Sequence, residues 1–287
     1  MSRSRTTGAL SALCMAAVLG GTPASGGSLE TAQLPQGDPA RKLMMLHFQE
    51  VNLAQMVASV CYVDAGVQPD KYRVIAYASR DRFDNTLPDI VEEAKRLDPN
   101  HSSYRQMQRQ LKRKARQWKT LKRMVEGELE AEHPSPDVLA RMSEMVEGLE
   151  GTIEKTYRMV KKKMQKEGLV DQATLEQEQA TFNLAFSAKH LMSEACLVAQ
   201  GAGGSLERAK LFEAVERMER ELLVAVDSPL VGDEVKALVP AWQAMTVELR
   251  ALAGGAPPAS DLLIRLDALQ DQWEASLDIP GIGHSYG

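Results

Sequence analysis

Aromatic residues make up only 5% of this 287-residue chain, and runs of alternating β-branched residues are absent. That composition suits helices packed through Leu, Met and Ala better than sheets. No stretch reaches 18 uninterrupted apolar residues, so no stable membrane anchor is expected. A Gly-rich phosphate loop, a G-x-S-x-G elbow and a C-x-x-C-H haem site are all missing. The five histidines, His47, His101, His133, His190 and His284, are scattered, with no pair at metal-ligand spacing. Glu130-x-x-His133 matches one half of a di-iron carboxylate motif, but such sites need two of these motifs and two further Glu. The chain therefore reads as a non-enzyme without metal or cofactor.

What the chain does contain is helical periodicity. In Phe182–Gly201 apolar side chains recur at Leu184, Ala188, Leu191, Met192, Ala195 and Val198, the i, i+3, i+4, i+7 stripe of an amphipathic helix. Leu43–Gly66 has the same shape, through Met44, His47, Val51, Ala54, Ala58 and Cys61. The two stretches share a tag, Cys61-x-Val63-x-x-Gly66 and Cys196-x-Val198-x-x-Gly201. A second helix follows each tag, Pro69–Lys95 and Ser205–Val226, with prolines at Pro88 and Pro240 predicting kinks further along. The inner face of Ser205–Val226 reads as Leu206, Ala209, Phe212, Val215, Met218, Leu222 and Ala225. Third helices carry Trp118 and Trp242, and Pro-led breaks introduce fourth helices. The pattern predicts an all-α protein of two tandem antiparallel four-helix bundle repeats, residues 43–167 and 168–278.

The N-terminus has the order of a secretory signal peptide over residues 1–26: Arg3 and Arg5, an apolar run Ala9–Leu19, then small residues. A polar leader, 27–42, and a Gly-rich tail, 279–287, are expected to be flexible. The destination read from this is periplasmic or secreted. Cleavage leaves Cys61 and Cys196 at equivalent places. An oxidising compartment permits a disulfide between them, while two small core residues is the plainer reading. End-to-end stacking of the repeats would hold the cysteines far apart and reduced; pairing of the two first helices would bring them together. Stacking is the arrangement expected.

Charge is unevenly spread. Residues 43–167 hold 22 basic and 19 acidic side chains, whereas 168–287 hold 8 and 18. Between Arg105 and Arg123 there are nine basic residues and no acidic one. Arg105, Arg109, Lys112, Arg113 and Arg116 are therefore candidates for contact with an anionic surface. Nucleic acid is not an expected partner, because the aromatic residues do not interleave with the basic ones. Lys189-His190 offers adjacent cationic groups for a small anion.

A long first helix ending in Glu194-Ala195-Cys196-Leu197-Val198-Ala199-x-Gly201, a second with a central Phe or Met, and a third with Trp resemble the N-terminal, PilJ-like domain of type IV pili methyl-accepting chemotaxis transducers. The resemblance covers about residues 43–277 as two copies. It implies a periplasmic sensor bundle whose ligand site forms where first helices come together. Arginines implicated in anion sensing in the nitrate branch of that family are absent: Gln55 and His190 stand at the last such position. Gln55, Lys189 and His190 are the candidate ligand-binding residues. The implied function is an exported, non-enzymatic, sensor-type ligand-binding protein without its own signalling module. A structural or adaptor module binding another envelope protein is the alternative.

Overall fold

A computed structural model of the protein describes residues 39–95, 102–131, 135–202, 204–229 and 231–277. The expected signal peptide, most of the expected leader, the expected tail, His101, His133 and His284 lie outside the described residues. Within them every regular element is an α-helix, so the protein is all-α. The first four segments are α1 (Pro39–His47), α2 (Gln49–Asp64), α3 (Pro69–Lys95) and α4 (Ser102–Glu130). There follow α5 (Pro136–Lys166), α6 (Gln172–Ala199), α7 (Ser205–Asp227), α8 (Asp233–Ala253) and α9 (Leu262–Leu277). Helix begins at Pro39, inside the expected leader, because Leu43 and Leu46 are buried and hold that turn against the core. α1 and α2 run almost as one helix, since the Phe48 amide donates to the Met44 carbonyl and the Asn52 amide to that of Phe48.

The shared tags are helix stops. Gly66 and Gly201 both adopt the left-handed conformation, φ 69° and 71°, which glycine reaches without a Cβ penalty. Around Gly66 its own amide reaches the Val63 carbonyl, and the Val67 amide reaches that of Tyr62. The same two bonds recur around Gly201, from Gly201 to Val198 and from Ala202 to Leu197. This is the Schellman arrangement, which satisfies carbonyls that a helix end leaves orphaned. Pro88 and Pro240 lie within unbroken α3 and α8. Buried Phe83 and Ile90 on one side and Val239 and Trp242 on the other fix the turns flanking each proline.

The stacked arrangement with reduced thiols is overturned. Cys61 and Cys196 form a disulfide with their Cα atoms 6.1 Å apart, within the reach that such a bond requires. α2 and α6 lie side by side and parallel. Their registers agree along the pair: Cys61 meets Cys196, 135 residues on, and His47 stacks on Phe182, the same distance on, with ring centroids 3.2 Å apart. Phe48, Val51, Phe182 and Ala185 close that end. A single apolar cluster draws on both halves, including Leu53, Met56, Leu191 and Leu197 from the central pair. α2 also packs on α3 and α5, and α6 on α7 and α9. α6 keeps a partly exposed line at Asn183, Phe186 and His190 beside its buried stripe of Leu184, Ala188, Leu191, Met192 and Ala195, but the amphipathic reading fails for α2. Every residue from Gln49 to Tyr62 is buried, polar ones included.

The third-helix tryptophans are core residues, Trp118 2% and Trp242 0% exposed. The Trp118 indole donates to Asp84 at 2.7 Å and packs on Phe83, while Trp242 meets Trp273 edge to face. α7 differs from its expected face: Leu206 and Phe212 are exposed, and Leu211 and Ala214 are buried instead. The first half of α7 turns Leu206 and Ala209 towards a cleft rather than into the core.

Truncating Trp118 or Trp242 to alanine is expected to cost on the order of 3–5 kcal/mol in a urea titration. Replacing both Cys61 and Cys196 by alanine should cost roughly 2–5 kcal/mol, because the bond closes a long loop. Thiol labelling of the unfolded oxidised mature chain should find neither cysteine free.

Candidate functional site

The parallel central pair leaves two seams, one on each side. In the seam between α3 and α9, buried Asp267 is fully used. Its carboxylate accepts from Gln68 at 2.5 Å, from Lys71 at 2.7 Å and from the Tyr72 hydroxyl at 2.5 Å. Lys71 also pairs with Asp271, and these carboxylates raise its pKa against the opposing effect of burial. Gln68 holds a positive φ of 44°, uncommon outside glycine, and its side chain is tied down by the bond to Asp267. Lys189, on this side of α6, pairs with Glu274, whose carboxylate also accepts from Gln270.

The other seam, between α5 and α7, stays open. It holds a cleft of about 670 Å³ whose walls come from α1, α2, α5, α6 and α7. Four helices supply the charges at helical spacing. Glu147, Glu150 and Glu154 project from α5, and Lys210, Glu213, Arg217, Arg220 and Glu221 from α7; α2 adds Glu50 and α6 adds His190. The rim groups are mostly spent on one another. Lys210 pairs with Glu147 at 2.6 Å, Arg158 with Glu154, and the Asn183 amide donates to Glu221 at 3.3 Å.

The floor is different. Glu50 and Glu150 are 5% and 8% exposed, and each has one carboxyl oxygen with no hydrogen-bond partner. Burial, and then the neighbouring Glu150, push the Glu50 carboxyl up to about 9. Burial, and then Glu147, push Glu150 up to about 8. Both therefore hold a proton at neutral pH. His190 is driven down to about 3 by burial and by Arg217 and Lys210, and its Nδ1 is unpartnered. His47, sandwiched between Tyr157 and Phe182, is likewise pushed to about 3 by burial and by Lys161 and Arg158. A smaller void shares Glu147, Glu150 and His190 with the cleft and reaches Ser143, Ser193 and Glu194. Glu194 accepts from Ser143 at 3.3 Å and is raised to about 7, chiefly by burial.

Of the three residues expected from sequence, His190 alone lines the cleft. Lys189 points away to Glu274, so the two do not form a joint anion clamp. Gln55 is buried, both of its amide atoms lack partners, and it does not border the cleft. Glu50, Glu150 and Arg217 were missed. The signal for the second was present in the spacing Glu147-x-x-Glu150-x-x-x-Glu154, an acidic stripe on one helix face. The basic face of α4 remains exposed at Arg105, Arg109, Lys112, Arg113 and Arg116. No group of three or more His, Cys, Asp or Glu among the described residues is placed to hold a metal ion.

The floor groups set a pH profile. In the unfolded chain Glu50 and Glu150 lose their protons near the ordinary 4.5, but in the fold only near 9 and 8. Their contribution to stability therefore falls as pH rises through that window, and Glu194 adds to it up to about 7. His47 and His190 act oppositely: they charge near 6.5 when unfolded and near 3 when folded, so stability falls as pH drops through that range. The two sets oppose each other between 4.5 and 6.5, and above 6.5 the carboxyls act alone. The melting temperature should thus be lower at pH 8.5 than at pH 6, and the double variant Glu50→Gln/Glu150→Gln should lose most of that difference.

Among the described residues no helix is long and apolar enough to cross a membrane. Comparison of the chain with protein-family models, with curated proteins and with solved structures returns no match, so the chemistry of the cleft rests on its own side chains.

Proposed function

We propose that this chain is an exported, non-enzymatic helical protein that binds a small ligand, akin to the PilJ-like input domain of chemotaxis transducers. One observation carries the reading: the about 670 Å³ cleft beside the paired first helices has two buried carboxyls on its floor with unpartnered oxygens. A buried polar group without a partner costs roughly 1–3 kcal/mol, and a bound molecule that satisfies it recovers that cost. The parallel, in-register first helices support the kinship, because the resemblance implies a ligand site where two such helices meet. Two copies in one chain would supply both helices. The signal-peptide order of the first 26 residues supports export.

The exposed basic face of α4 favours a second reading, an adaptor that docks on an acidic surface of an envelope protein. A thermal-shift screen of small metabolites against the mature protein separates the two, since a ligand specific to the native state raises the melting temperature by mass action. At least one compound is expected to do so in the wild type and not in Glu150→Gln. A blank screen, together with partner binding lost on charge reversal at Lys112, Arg113 and Arg116, would replace the ligand-binding reading with the adaptor.

A further inference from the structure

The charges inside the cleft divide into those already satisfied and those that are not. Lys210 and Glu147 satisfy each other, Glu154 has Arg158, and Glu221 has Asn183. Glu213 and Arg220 stand exposed at the rim, and further in Glu50, Glu150, Arg217 and the neutral His190 remain. Glu50 and Glu150 each have an oxygen without a partner, from α2 and α5 respectively. Arg217, from α7, has no carboxylate within ion-pair distance among the described residues, and its guanidinium lies 5.3 Å from the Phe186 ring centroid. Glu50, Glu150 and Arg217 all line the same cleft.

A purely cationic ligand would satisfy the carboxyls but face Arg217 with like charge. A purely anionic one would satisfy Arg217 and leave the buried oxygens of Glu50 and Glu150 without a donor. A molecule bearing both charges a short distance apart matches the set. We infer that the cleft takes a small zwitterion of the α-amino acid class, its carboxylate held by Arg217 and its ammonium by Glu50 and Glu150. This rests on the ligand-binding reading above. A guanidinium suits a carboxylate through paired N–H donors, and the Phe186 ring beneath it keeps the fork in one plane. Phe182 and Phe186, stacked 5.5 Å apart along α6, leave an apolar wall for the ligand's side chain. The volume suits a free amino acid or a very short peptide.

The test is isothermal titration of the mature protein with the common L-amino acids, the amines left when each loses its carboxyl, and the acids left when each loses its amine. An amino acid should bind, with its amine and its acid counterparts each weaker by about tenfold or more, since the amine leaves Arg217 and the acid leaves the two buried carboxyl oxygens without a partner. Arg217→Gln should weaken amino acid binding by roughly ten- to a hundredfold and leave the amine counterpart nearly unchanged. Glu50→Gln and Glu150→Gln keep shape and hydrogen bonding, and an unchanged circular dichroism spectrum verifies the fold before titration. Amines or acids binding as tightly as the amino acid would overturn the inference while leaving a ligand site in place. Amino acid binding unaffected by all three substitutions would overturn it too, by placing the site elsewhere. No binding from any of the three sets would remove the inference, and only a blank metabolite screen as well would remove the reading beneath it.

Discussion

The architecture depends on the parallel packing of α2 against α6. α2 is surrounded by α6, α3 and α5 and has no solvent face along most of its length. From Phe182 to Leu197, α6 is enclosed by α2, α7 and α9 except where Asn183, Phe186 and His190 border the cleft. That enclosure has two effects. It lets one apolar core serve both halves of the chain. It also carries Gln49, Glu50, Asn52, Gln55 and Ser59 into the interior along with the apolar residues between them. Some find local partners: Asn52 donates to Gln49, and Ser59 to the Gln55 carbonyl one turn back. Glu50 and Gln55 do not. A helix wholly inside a protein is ordinarily apolar all round, so this departure locates where the interior has been adapted to something other than packing.

The two seams make the point by contrast. Both are bounded by the central pair and by a second and a fourth helix, and both contain acidic residues from the fourth. On the α9 side Asp267 is met by Gln68, Lys71 and Tyr72, and the seam is filled. On the α5 side Glu150 lacks a partner for one oxygen, and a cleft remains. Similar helices at similar positions thus reach opposite outcomes through the choice of a few side chains. Tyr72 and Lys71 face one carboxylate, where Arg217 and His190 stand off from the other.

Helix positions were readable from the chain because their signals are local. Gly66 and Gly201 mark stops through their own backbone freedom, and the periodicity of α3 placed Tyr72, Ile75, Phe83 and Ile90 in the core. The meeting of Cys61 with Cys196 is not local. A stripe reports that one face is covered but not by which helix, and the tags at Cys61 and Cys196 are compatible with stacking as well as pairing. The site was legible in fragments. His190 stood out through its place beside Lys189 and at an arginine position of the resembled family, while Glu150 was passed over because a Glu on a long polar helix ordinarily faces water. Arg217 sits among Glu213, Glu216, Glu219 and Glu221, where nothing in the residue order separates an arginine that pairs from one that does not.

The disulfide stands at one end of the central pair, and the cleft runs along the pair from His190 to His47 near the other. From Cys61 back to Glu50 is eleven residues, about 16 Å of helix. A covalent tie at one end of two rods turns relative movement into rotation about the tie. Along that lever, a shift of about 1 Å between α2 and α6 at the level of Glu50 corresponds to a turn of roughly 4°. Sliding of one helix past the other is ruled out at the tie while the bond is intact, and the packing of Phe48 and Val51 with Phe182 and Ala185 resists the remaining rotation at the far end.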